Sequence, residues 1–215
     1  MEKGFLMRII WAYLFSGLCT FAFAHPVIYQ DGWVLSSMTM ADMTDANVSY
    51  SFSSRWSSGV NYWRLSDMKG NEQEWQLAKL NHLAYRYNGD DSQANLYLHS
   101  GLGRSDSEQY ENRLGYMMGL EADWETRKYF LSAKYLHLGS SDTDQGIWVG
   151  RVGISPILAD FSSLQSWAML QVWHDPITAR ETKITPLLRF FYHNVLWEMG
   201  SSLKGDIMLS IMVHL

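Results

Sequence analysis

Between residues 207 and 215 apolar and other side chains alternate without a break. Ile207, Leu209, Ile211, Val213 and Leu215 fall on one face, and Met208, Ser210, Met212 and His214 on the other. A β-strand, whose side chains point to opposite faces with a period of two, sorts residues this way, whereas a helix would mix them. Three earlier segments repeat the pattern. Val48, Tyr50 and Phe52 alternate with Asn47, Ser49, Ser51 and Ser53. Ala94, Leu96 and Leu98 alternate with Asn95, Tyr97 and His99, after a turn at 88–91. Leu114, Tyr116, Met118, Leu120, Ala122 and Trp124 alternate with Arg113, Gly115, Met117, Gly119, Glu121 and Asp123, a length that suits a tilted strand crossing the hydrocarbon of a membrane. Further strands are expected at 33–40, 60–65, 75–87, 129–137, 147–154, 166–173, 184–192 and 195–200, which brings the count to twelve. An even count returns both termini to one side, the periplasm in barrels of this kind. Three features leave ten or eight strands open. The connection 155–165 is long for the periplasmic side, Lys79 and Asn81 share a face with Leu77 and Leu83, and Pro186 interrupts a proposed strand.

At the other end of the chain Lys3 and Arg8 precede an apolar run from Ile9 to Phe23, and Ala22-Phe23-Ala24 offers the small-x-small pattern of a signal-peptidase site. Residues 1–24 are therefore expected to be a cleaved signal peptide, and 25–215 a single β-barrel domain beginning at His25. Cys19 lies in the run, but Ser16 stands where a lipobox would carry Leu. Cleavage after Ala24 removes the only cysteine, and with it disulfides, thiolate metal sites and a cysteine nucleophile.

An exported chain that ends in an alternating strand resembles Gram-negative outer-membrane β-barrel proteins, in which the last strand closes against the first. It differs in ending on Leu215, where such strands usually end in Phe or Trp. The resemblance implies an all-β fold, an antiparallel transmembrane β-barrel, with outer-membrane lipid and the outer-membrane assembly machinery as partners and the cell outer membrane as location. Beyond the signal no apolar run reaches the ~18 residues a spanning helix requires. Aromatic residues nevertheless make up 14% of the chain, with ten Trp and twelve Tyr, which interfacial belts explain. Without Lys3, Arg8 and Glu2 the chain carries 15 basic and 21 acidic side chains, a net charge of about −6. No basic stripe is visible, so nucleic acid is not an expected partner.

Three functional classes can be weighed on the residues. Small barrels that hydrolyse lipid use a His with a Ser two positions on, so that imidazole and hydroxyl share a strand face. No His here has that spacing: His99 and Ser100 fall on opposite faces, as do His137 and Ser140. No catalytic residue is assigned. Soft-metal handling is the second class. Met38, Met40 and Met43 place three thioethers together, a donor set suited to Cu(I) or Ag(I), and His25 as a new N-terminus would offer an amine and an imidazole. Metal-efflux or other envelope partners would accompany that reading. Met is also an adaptable packing residue, and Met117, Met208, Met212 and His214 share inferred lumen faces without forming a spacing motif. The third class is a narrow channel or a structural barrel. Arg55, Arg113, Glu121, Asp123, Lys134, Arg189 and Glu198 are expected to line a small interior and meet across it. The preferred reading is a non-enzymatic small outer-membrane barrel, a narrow channel or envelope component. A copper- or silver-binding barrel and a soluble periplasmic binding barrel are the alternatives.

Overall fold

A computed structural model describes residues 25–67, 69–141, 143–158, 160, 163–176 and 179–215, so the expected signal segment lies outside the described residues. Twelve strands follow one another: β1 Trp33–Met40, β2 Met43–Tyr50, β3 Trp56–Ser66, β4 Glu72–Asn88, β5 Ser92–Ser107, β6 Arg113–Thr126, β7 Tyr129–Gly139, β8 Asp144–Ile154, β9 Gln165–Asp175, β10 Ala179–Tyr192, β11 Val195–Ser201 and β12 Ile207–His214. Each pairs antiparallel with its sequence neighbours, and β12 closes on β1 from Val34↔His214 to Thr39↔Leu209. Closure leaves no sheet edge unpaired, which a membrane requires because lipid cannot hydrogen-bond an exposed backbone. Residues 25–33 and 214–215 lie at one end of the barrel, here the terminal end. The opposite, distal end carries the turn between Met40 and Met43.

The alternation sets which face is outside. On β6, Leu114 is 67% exposed and Met118 63%, while Gly115 and Met117 between and beside them are buried. Leu98, Leu102, Leu120, Leu131, Leu188, Leu209 and Ile211 continue this apolar exterior around the ring. Trp33, Tyr50, Trp56, Tyr85, Tyr87, Trp124, Tyr129 and Tyr192 stand on or beside the strand ends nearest the termini. They form the aromatic girdle that transmembrane barrels place at an interface. A soluble barrel would show water the opposite face.

The three ambiguous features of the sequence resolve locally. Leu77, Lys79, Asn81 and Leu83 of β4 all face inward, and the register against β5 shifts only beyond them, between Leu83 and Tyr85. Pairing of β10 with β11 begins at Leu187, one residue past Pro186, so the missing proline N–H falls at the end of that ladder. The long connection after β8 does lie at the terminal end, where Ser155 Oγ donates to the carbonyls of Ile157 and Ser166 at 2.8 and 3.1 Å. One glycine is required by close approach. A Cβ on Gly59 would stand 1.9 Å from the Val48 carbonyl oxygen, so β2 and β3 fold together more tightly there than any side chain permits.

Candidate functional site

The interior is the candidate site, and it divides into two unlike halves. The distal half is dominated by an apolar cluster, with a few paired polar groups such as Gln145 and Asp175 at its rim. Met40, Met43, Trp63, Leu65, Trp75, Leu77, Met117, Leu136, Leu138, Ile147, Met169, Trp173, Leu187 and Met208 form one buried cluster, with Met38, Phe130, Val149 and Trp167 packed against it. These side chains come from ten of the twelve strands. Trp63 on β3 and Trp173 on β9, six strands apart in the ring of twelve, bring their ring centroids to 6.5 Å. A circular barrel of twelve strands is about 24 Å across between backbones, so two opposed indoles in contact occupy most of that span. Arg151 Nη2 reaches the sulfur of Met38 at 3.7 Å, and Gln171 Nε2 the sulfur of Met208 at 3.6 Å, which ties further walls together.

The terminal half is polar and internally paired. Asn81 Nδ2 donates to Ser57 Oγ at 2.9 Å, His99 Nδ1 lies 2.8 Å from Asn81 Oδ1, and His99 Nε2 lies 3.2 Å from Glu121, which Lys134 approaches to 3.3 Å. On the opposite wall Arg189 Nε donates to Glu198 at 2.7 Å while Arg151 stands 3.4 Å from both carboxylate oxygens. Asn95 Nδ2 donates to Asp123 at 2.7 Å and itself accepts from Arg86 Nε at the same distance. A charge taken out of water needs a partner to avoid a desolvation cost of several kcal/mol, and each of these carboxylates has one.

Residues 25–32 are tucked into the terminal mouth. His25 is buried, with Nδ1 3.6 Å from Asp123 and Nε2 3.4 Å from Glu125. Burial pushes the imidazole pKa down, but the close carboxylates of Asp123 and Glu125 outweigh it and hold the group up at about 9. Val27 is fully buried against Leu83 and Tyr97, the Pro26 carbonyl accepts from Ser57 Oγ at 2.8 Å, and the Ile28 N–H donates to Ser51 Oγ at 3.2 Å. The segment then turns at Asp31, whose backbone φ is 65°, to enter β1.

Of the residues expected to line the interior, Glu121, Asp123, Lys134, Arg189 and Glu198 do face it. Arg55 and Arg113 do not line it. Arg55 is exposed in the turn before β3, where its carbonyl accepts from the Leu83 N–H. Arg113 keeps the inward phase of β6, paired with Ser105, but stands at the distal rim, exposed, with its guanidinium 4.9 Å from the Tyr110 ring. Nothing in the alternation marks Arg151, whose place is set by Glu198 across the interior.

Met38, Met40 and Met43 all face inward, with Met40 and Met43 directly paired across the first hairpin. Their thioethers pack into the apolar core. His25 sits at the other end of the barrel, so the four do not form one site. Among the described residues no group of three or more His, Cys, Asp or Glu side chains is arranged to hold a metal ion.

No protein-family model and no curated protein matches the sequence. Among solved structures, the KdgM porin aligns over 85% of this chain and 97% of its own, at 9% identity and a TM-score of 0.49. The NanC porin aligns over 85% and 97%, at 10% identity and a TM-score of 0.42. The translocator domain of the autotransporter NalP from Neisseria meningitidis aligns over 98% and 94%, at 11% identity and a TM-score of 0.43. The chain resembles Gram-negative outer-membrane β-barrel proteins. At these identities the likeness concerns architecture alone.

Proposed function

We propose that this chain is a non-enzymatic barrel of the Gram-negative outer membrane that is closed to free diffusion and serves as a structural component of the envelope. The contact of Trp63 with Trp173 across the interior, inside an apolar core fed by ten strands, carries this reading. A diffusion pore needs a continuous wet path, and an apolar constriction excludes water and ions. The absence of catalysis is supported by the interior titratable groups. His99, Glu121 and Lys134 are spent on one another and on Asn81 rather than facing a cleft.

One observation favours a second reading, a narrow channel held shut. The segment 25–32 enters the terminal mouth through a few side chains, His25 and Val27 foremost, and its removal would uncover the polar half. The two readings separate in cells that lack the chain. An envelope component predicts greater sensitivity to detergents and large apolar antibiotics with unchanged uptake of small hydrophilic solutes. Slower uptake of such solutes with an intact permeability barrier would favour the channel.

A further inference from the structure

The lipid-facing wall is not uniformly convex. Across β12, β1, β2, β3 and β4 it carries a recess of about 690 Å³. Leu35, Ser37, Ala46, Val48, Val60 and Ala78 point into it from outside the barrel. Register explains its shape. Ser37 pairs with Ala46, Val48 with Val60, and Val60 with Ala78, so three of the shortest outward side chains lie among β-branched ones on adjoining strands. On β6, by contrast, Leu114, Met118 and Leu120 project as a ridge.

We propose that this recess binds the acyl chain of one glycerophospholipid from the leaflet on the terminal side. The proposal rests on the membrane reading. Its volume falls in the range of sites for single small ligands, roughly 300–1,000 Å³, whereas a second barrel or a spanning helix would bury a far longer strip. Its lining is mostly apolar, with Ser37 among the side chains that point into it, and lies within the outer band, so hydrocarbon is the medium that meets it. Its terminal-side edge lies close to the girdle. Leu35 is two residues from Trp33, and Val48 is two from Tyr50, whose rings lie 5.0 Å apart. At that girdle Tyr50 Oη donates to the exposed Asp31 carboxylate at 2.7 Å, leaving an anionic group that suits an amine-bearing head such as phosphatidylethanolamine.

The test is native mass spectrometry of the detergent-released, delipidated barrel offered dipalmitoyl phosphatidylethanolamine, with heat-modifiable gel migration as the check that each variant has folded. The wild-type barrel is expected to keep one lipid at collision energies that strip the rest. A46W, and the milder S37L, should reduce that adduct at least tenfold, while A133W, outward on β7 and away from the recess, should leave it unchanged. Equal retention by all four proteins, or none by the wild type, would overturn the proposal and leave ordinary annular lipid. A wild-type dimer abolished by A46W would overturn it in favour of a second copy in the recess. Release of the protein from cells by aqueous buffer without detergent would instead sink the membrane reading beneath it.

Discussion

Trp63 and Trp173 stand on opposite strands of a twelve-membered ring, and their indoles nevertheless meet, 6.5 Å apart between centroids and tilted by 35°. The contact makes the distal half of the barrel a packed core rather than a passage. Truncating either indole should open a void the wall cannot collapse into. W63A and W173A are each expected to lower stability by about 3–5 kcal/mol, read from urea unfolding in micelles. The double variant should cost less than the sum of the two, because the rings are neighbours and share a cavity.

The polar half makes a different prediction. Glu198 accepts from Arg189 and lies beside Arg151, so E198L leaves two buried cations without their anion. A loss of about 3–5 kcal/mol is expected from breaking such a pair. Replacing Arg151 and Arg189 by Met in the same chain should recover much of it, since no unpaired cation then remains on that wall. Failure of that rescue, measured on the same unfolding curves, would show that the ion cluster has a role beyond compensating its own charges.

The mouth segment should respond to pH. His25 is held at about 9 against an ordinary 6.5 by Asp123 and Glu125, so its contribution to seating is complete below about 6.5 and is lost as pH rises through about 9. Over that window the loss is on the order of 3 kcal/mol. A cysteine placed by V27C should react slowly with a water-soluble methanethiosulfonate reagent at pH 6 and faster near pH 10, after normalisation to an exposed cysteine at Ser54. H25A should react quickly at both.

Two glycines offer a matched pair. A Cβ on Gly59 collides with backbone, which cannot move aside, whereas one on Gly150 meets nothing within 4 Å. G59A is expected to lose the heat-modifiable folded band or several kcal/mol of stability, and G150A to keep both.

Much of this fold is legible in the sequence because a strand exposed to lipid on one face must alternate. The residues 113–124 and 207–215 stand out for that reason, and the twelve segments can be counted from it. The interior is harder to read. In β4, Leu77 and Leu83 share a face with Lys79 and Asn81, which looks like an error of phase if the interior is taken to be polar throughout. The structure removes the conflict: Leu77 belongs to the apolar core and Leu83 packs on Val27, while Asn81 lies in the polar network between them. Nor can alternation tell Met as a metal donor from Met as filler. What distinguishes them is the company of Trp63, Leu65 and Leu77, which comes from other strands and so from tertiary register.

The most direct measurement is the current through single barrels in a planar bilayer. The purified wild-type protein should insert without steady conductance, and W63A/W173A should add discrete steps once the apolar constriction is thinned. Stable open steps from the wild type, unchanged by loss of both indoles, would contradict a barrel closed by its own core.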